Sequence, residues 1–309
     1  MAWEKLGRVF CPDGSSPWAK HSFMTPVPIE LSQDVIRIYG GMRDDHGVSR
    51  IGWVDVARGN PLEVLGVSPE PVLDLGAPGM FDDNGVILGD VIRIGPQEMR
   101  MYYVGFQLVQ KAKFLAFTGV AISHDNGGSF QRVQVTPVLD RAPQALFINA
   151  LHSIQKTNEG YRAWISCGQR WQAVAERVFP QYNCWTVTSP DGLCFDMSEA
   201  VPTLDCEGDE YRIGRPRANQ LADGSYEMRV TSDTLSKQYA CFRAVSPDGV
   251  VWQRTADEEL PRGDSCTWDS EMTCYPARLD TSDGSSYLFY NGNNMGETGV
   301  GVARLEPAS

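Results

Sequence analysis

No uninterrupted run of about 18 apolar residues occurs in this 309-residue chain, which excludes a membrane-spanning helix. Basic residues are in deficit: 27 Lys and Arg face 39 Asp and Glu, for a net charge of −12. Neutralising a phosphate backbone needs clustered cations, so nucleic acid is excluded as a partner, and docking on an anionic membrane is disfavoured. The eight cysteines contain no C-x-x-C pair, and several sit in strand-like contexts such as Tyr182-Asn-Cys-Trp185 and Tyr239-Ala-Cys-Phe242. They are read as free buried thiols, not as a disulfide framework or a cysteine metal site. Histidine is scarce, and His21 and His152 lack metal-ligand spacing, so both are expected to bind by hydrogen bonds. The start, Met1-Ala-Trp-Glu-Lys-Leu-Gly-Arg8, lacks a basic stretch followed by an apolar one. A signal peptide is therefore not expected, and a cytoplasmic location is. Glycine and proline are spread along the chain as turn punctuation, so one domain over 1–309 is expected.

What the chain does contain is repetition. Ser123-His-Asp-Asn-Gly-Gly-Ser-Phe130, Ser189-Pro-Asp-Gly-Leu-Cys-Phe195 and Ser246-Pro-Asp-Gly-Val-Val-Trp252 are three versions of one turn. In each, Asn-Gly or Asp-Gly supplies the positive φ of a tight hairpin and an aromatic residue restarts the strand. Their spacing of roughly 60 residues is near that of a four-stranded propeller blade, about 40–50 residues plus loops.

Period-two alternation places strands around these turns. A first group runs through Asp34–Gly40 and Ser49–Val56, a second through Gly85–Ile94, Met99–Gly105 and Gly119–Ser123. A third takes Asn149–Ile154, Tyr161–Ser166 and Tyr182–Val187, a fourth Arg215–Asn219, Ser225–Thr231 and Tyr239–Val245. A fifth takes Met272–Arg278, Ser286–Tyr290 and Gly299–Ala303. The expected fold is therefore all-β, a single five-bladed β-propeller of four-stranded antiparallel blades. Because an open ring leaves sheet edges exposed, the N-terminal segment 1–30 is expected to help close it, with Trp3–Phe10 as the closing strand. A short peripheral helix is expected at Gln172–Val178.

In such a fold, polar side chains at the start of each blade converge on one mouth of the channel. The first blade offers Arg43, Asp44 and Arg50, with His21 before it. Entry to the second offers Asp82 and Asp83, followed by Asp90 on the strand. The third holds His152 and Trp171, and the fourth is entered through Glu210 and Arg215. The fifth offers Asp269, Glu271, Tyr275, Asn291 and Asn293. The Asp82-Asp83-Asn-Gly and Arg43-Asp-Asp-His-Gly stretches are also good turns in their own right. Glu271 stands among Trp, Met and Tyr, and a buried carboxyl with a raised pKa is expected there.

The stretches Asp82–Val86, Met101–Gly105, Ala121–Phe130, Trp268–Met272 with Tyr275-Pro276, and Tyr290–Asn293 with Thr298-Gly299 carry a family likeness. From about residue 20 onward the chain resembles the five-bladed propeller proteins related to arabinanases, xylosidases, invertases and levansucrases. More narrowly, it resembles a branch associated with bacterial surface-polysaccharide or specialised-metabolite gene clusters. The resemblance implies sugar chemistry on a small activated or conjugated sugar, with two or three carboxylates and no redox cofactor or metal. Calcium is conceivable in an oxygen-rich propeller core, but no ligand loop is recognisable. Carried over by position, Asp44 or Asp83 would be base or nucleophile and Glu271 or Glu210 the acid. Arg43, Arg50 and Arg215 would orient carboxylates or bind an anionic sugar, and Trp171 would stack on a sugar face. Related hydrolases place an acid glutamate in the third blade, whereas Asp140–Phe147 and the strand after it offer only Asp140. That departure keeps two alternatives open: a propeller recruited for a non-glycosidic biosynthetic reaction, and a non-catalytic glycan- or partner-binding propeller.

Overall fold

The computed structural model describes residues 3–174, 177–236 and 239–306. It is almost entirely β-structure, arranged in antiparallel sheets and in two compact units, Met1–Asp74 with Leu260–Ser309 and Leu75–Glu259.

The first unit opens with β1 (Trp3–Phe10), β2 (His21–Glu30), β3 (Val35–Arg43), β4 (Ser49–Ala57) and β5 (Asn60–Val67). Strands β2 to β5 form one four-stranded sheet in sequence order. The chain then builds the second unit: β6 (Val86–Arg93), β7 (Met99–Gln107), β8 (Leu115–Ser123), β9 (Gln131–Arg132), β10 (Ile148–Thr157), β11 (Gly160–Val174), β12 (Arg177–Ser189) and β13 (Val201–Leu204). These make one eight-stranded sheet, in which β10 and β8 are joined by a parallel pairing of only two residues each, Ile148 with Ala116 and Asn149 with Phe117. The eight strands are thus two antiparallel groups sharing a short seam. β14 (Glu210–Gln220), β15 (Tyr226–Thr234), β16 (Ala240–Ser246) and β17 (Gln253–Glu258) complete the unit as a second sheet. The chain returns to the first unit with β18 (Cys274–Asp280), β19 (Ser286–Asn291), the short turn of helix α1 (Asn293–Gly296) and β20 (Val300–Leu305).

Trp3–Phe10 forms a strand. β1 pairs antiparallel with β20, so both ends of the chain share the sheet β1-β20-β19-β18. His21–Glu30 is the first strand of the β2–β5 sheet. Lys5 of β1 donates to Asp269 Oδ2 at 2.6 Å beside the Tyr290 ring, tying β1 to the loop before β18. Partial burial opposes ionisation of Asp269, but hydrogen bonds from Lys5, Tyr290 and Thr267 outweigh it and hold its pKa below the ordinary value. Lys5→Met leaves this carboxylate, 4% exposed, with neutral donors only. A destabilisation of about 1–3 kcal/mol is expected, read as a lower denaturation midpoint.

The expected helix at Gln172–Val178 is not formed. β11 and β12 run on as a long hairpin, with Trp171 opposite Pro180, Gln172 opposite Phe179 and Ala173 opposite Val178. Ladder hydrogen bonds outweigh the helical preference of Gln172 and Ala173; residues 175–176 lie outside the described residues.

Alternating side chains fill each unit. In the first, Phe23, Ile36, Ile38, Val54, Val56, Phe289, Val300 and Val302 form a buried cluster shared by both sheets. The second has clusters around Tyr102, Leu151 and Ile165 and around Trp164, Ile213 and Met228. All eight cysteines are free thiols; Cys167, Cys184, Cys241 and Cys274 are buried as small apolar residues.

The three repeated turns join the last two strands of their groups. Each serine hydroxyl accepts the amide of Gly127, Gly192 or Gly249, and each aspartate accepts amides two to four residues on. Partial burial would raise Asp125, but hydrogen bonds from Ser123, Ser129 and Gly128 outweigh it and bring its pKa from 3.8 to about 2. A depressed carboxylate stabilises the fold above its unfolded pKa and loses that contribution as pH falls through the folded one. Asp125→Asn is therefore expected to flatten the loss of stability between about pH 4 and pH 2, measured by acid titration of near-ultraviolet circular dichroism.

Candidate functional site

The first strand of every group is irregular. In the first unit β2 slips register between His21 and Val27, and β18 between Cys274 and Ala277. Ser22, Thr25 and Tyr275 there have φ of 65°, 57° and 53°. In the second unit β6 slips at Gly89, β10 at His152 and β14 at Arg215-Pro216, with Arg215 at φ 55°. Positive φ on non-glycine residues costs about 1–3 kcal/mol each and persists only where surroundings enforce it, commonly at functional sites.

Asparagines enforce it in the first unit. Asn291, at the end of β19, is fully buried; its Oδ1 accepts Thr25 N at 2.7 Å, and its Nδ2 donates to the carbonyls of Phe23 and Gly299 at 2.5 and 2.9 Å. Asn291 also pairs with Cys274, so the beginnings of β2 and β18 meet at this side chain. Two residues on, Asn293 Oδ1 accepts the amides of Glu271 and Met272 at 2.8 and 3.0 Å. Asn291 and Asn293 are thus clamps on the backbone that carries His21, Tyr275 and Glu271. Glu271 itself is exposed, not buried among Trp268, Met272 and Tyr275 as its sequence suggested, because the loop turns its side chain outward. Its carboxylate accepts no hydrogen bond and joins no ion pair among the described residues.

The other candidate acids are occupied. Asp44 Oδ1 accepts the amides of His46 and Val48, and its Oδ2 takes Arg50 Nη1 at 2.8 Å, while Arg50 Nε also reaches Asp74. Burial opposes ionisation of Asp44, but Arg50 and these amides win and lower its pKa. Asp269 is held as described above. In the second unit, Glu210 makes a two-pronged ion pair with Arg254 at 2.7 and 2.8 Å. That pairing outweighs burial and lowers its pKa as well. Asp82 is buried against Arg132 Nε at 2.7 Å. Asp83 accepts Gly79 N and Asn84 Nδ2 within the loop before β6.

The second unit draws three bulges together. Arg215 Nη2 donates to Leu88 O, and Arg217 donates to Gly89 O, His152 O and Asp90 Oδ1 at 3.3, 3.2 and 3.1 Å. His152 is 4% exposed and its Nδ1 has no hydrogen-bond partner among the described residues. Burial, then Arg215 and Arg217, push its pKa well below the ordinary imidazole value, so it is neutral near pH 7. Burial also raises the pKa of Asp90, against the pull of Arg217 and the amides of Ile154 and Val91. Trp171 is not an open stacking platform: its ring packs edge-on against Phe114 and Phe147 at 5.3 and 6.0 Å.

Of the residues singled out in the sequence, Asn291, Asn293, Glu271, Tyr275, His152 and Arg215 lie on or against these irregular stretches, to which the structure adds the Ser22–Thr25 stretch and Arg217. A signal was present: Thr25, Arg215 and Tyr275 each precede a proline in a strand, and proline inside a ladder marks a bulge. Among the described residues no cluster of three or more His, Cys, Asp or Glu could hold a metal ion, and no helix is long and apolar enough to cross a membrane.

Solved structures share the fold. The β-1,2-mannobiose phosphorylase of Listeria innocua, bound to β-1,2-mannobiose, superposes with a TM-score of 0.71 at 10% identity, over 99% of this chain and 97% of that one. A structure from the GH130 family of mannoside phosphorylases, described with glycoside hydrolases that target β-1,2-mannosidic linkages in Candida mannan, gives 0.70 at 14% identity, covering 100% and 95%. A thermostable family-43 glycoside hydrolase gives 0.65 at 13%, covering 95% and 93%. The chain therefore has a glycoside-hydrolase-like fold. No family model matches it. It is 32% identical over 308 residues to the uncharacterized protein Rv1502 of Mycobacterium tuberculosis H37Rv, covering 99% of this chain and 100% of that protein, and it belongs to the same family. MT1551 of strain CDC 1551 aligns equally well.

Proposed function

We propose that this protein is an enzyme that breaks or transfers a glycosidic bond of a small conjugated sugar, with Glu271 handling the proton at the glycosidic oxygen. The observation that carries the reading is the contrast among the acids of the first unit: Glu271 has its backbone clamped by Asn293 and its carboxylate uncommitted, while Asp44 and Asp269 are bound. Proton transfer needs a carboxyl that is positioned yet chemically available. Asp44, held ionised by Arg50, supplies the second carboxylate that such chemistry uses to stabilise a developing positive charge or activate a nucleophile. Tyr275, on the strained bulge of β18, would contact the sugar ring.

Five groups of strands that each begin with a bulged first strand support a five-bladed reading in a single domain, the eight-stranded sheet counting as two blades. Eight free thiols suit a reducing compartment and hence the cytoplasm. The glycosidases and phosphorylases that share the fold favour sugar substrates. The test is proton NMR of anomeric signals during incubation with pooled disaccharides and sugar conjugates, with and without inorganic phosphate. New anomeric doublets are expected; sugars that bind while every anomeric signal stays unchanged would point to a binding protein instead.

A further inference from the structure

The register of β2, β3 and β4 sets three polar residues in a row: His21 lies opposite Arg43, and Arg43 opposite Ser49. Directly opposed residues in an antiparallel ladder share a face, with Cβ atoms about 4.5–5.5 Å apart. Arg43 is half-buried, and its Nε is enclosed without a hydrogen-bond partner among the described residues. Among the described residues its guanidinium meets no carboxylate, and the adjacent Asp44 is committed to Arg50 and to two amides. Ser49 is 5% exposed, and its Oγ also has no partner among the described residues. His21 spends Nδ1 on Ser22 Oγ at 2.8 Å, leaving Nε2 for a ligand. An enclosed cationic donor and a buried hydroxyl, both unsatisfied, are costly unless a ligand completes them.

We infer that the substrate carries an anionic substituent, a carboxylate or a phosphate, which the Arg43 guanidinium receives together with Ser49 Oγ and His21. The inference deepens, and rests on, the reading of the first unit as a sugar site, since the beginning of β2 that bears His21 meets the beginning of β18 near Glu271. A planar guanidinium suits either group because its parallel N–H donors match two oxygens at once. The substituent supplies orientation, and the glycosidic bond lies toward Glu271.

Titration calorimetry with glucose, glucuronic acid, glucose 6-phosphate and inorganic phosphate tests this. At least one anionic sugar is expected to bind about tenfold or more tightly than glucose, the worth of a charge-assisted hydrogen bond, and the better of the two identifies the substituent. Arg43→Met is expected to remove that preference, and Arg43→Lys to restore only part of it. Should Arg43→Met fold poorly, Ser49→Ala serves, with several-fold weakening expected for the anionic sugar alone. Equal affinity for glucose and both anionic sugars, a preference that survives Arg43→Met, or inorganic phosphate binding as tightly as the sugar phosphate would each overturn the inference. An anionic preference without glycosidic turnover would leave the anion site standing and remove the catalytic reading; turnover of neutral glycosides without that preference would do the reverse.

Discussion

Glu271→Gln is expected to lower turnover by about 10²–10⁴-fold, the usual contribution of a positioned general acid or base, with little change in affinity or thermal midpoint. The selectivity follows from what Glu271 touches. Its structural role is carried by its backbone amide, which Asn293 Oδ1 accepts, and the substitution leaves that amide in place. Its side chain is exposed and makes no internal bond among the described residues, so removing the charge disturbs no packing. Steady-state kinetics on a substrate found in the NMR screen, paired with a thermal melt, read both quantities. A fall in activity that tracked a fall in stability would mean that Glu271 is a structural residue.

The second large effect is on stability. Arg212→Met is expected to destabilise the protein by about 3–5 kcal/mol, the cost of leaving a buried charge without its partner. Arg212 is 5% exposed and Asp233 0%. Arg212 Nη2 donates to Asp233 Oδ2 at 2.6 Å, and the same oxygen accepts Tyr211 OH at 2.6 Å. The guanidinium lies among the rings of Phe179, Tyr182, Tyr211 and Tyr239, with centroids 5.1–5.8 Å away. Burial disfavours the charged guanidinium, but the surrounding tyrosines and Asp233 outweigh it and raise its pKa. Methionine fills the aromatic cage yet leaves the carboxylate in it. Adding Asp233→Asn to Arg212→Met should recover much of the loss, because the uncompensated charge is then gone. Denaturant midpoints of both variants check this; an unchanged midpoint in Arg212→Met would show that the cage, and not the ion pair, holds β14 to β15.

Much of the fold was legible because strand alternation and Asp-Gly turns are local signals. The Ser-x-Asp turns act in the structure as their chemistry suggests, accepting the amides that close a tight hairpin. The end of β11 was misread because Gln172-Ala-Val-Ala-Glu has helical propensity, while the strand character of Gln172–Val174 depends on pairing with Arg177–Phe179. The site was less legible for a related reason. Carboxylates look alike in sequence, and what separates Glu271 from Asp82 and Glu210 is whether an arginine distant in the chain reaches them. Arg132 lies 50 residues from Asp82 and Arg254 lies 44 from Glu210. The strained Ser22–Thr25 stretch is held by Asn291, 266 residues from Thr25, so no local pattern announces it.

The most direct test of the account is a crystal structure of the Glu271→Gln protein soaked with a substrate that the wild type converts. The account predicts an intact sugar whose glycosidic oxygen lies within hydrogen-bond distance of residue 271, with Tyr275 against the ring and Arg43 on its anionic group. A sugar bound solely at the cleft of about 880 Å³ lined by Tyr161, Arg162, Phe195 and Tyr226 in the second unit, with nothing at residue 271, would contradict it.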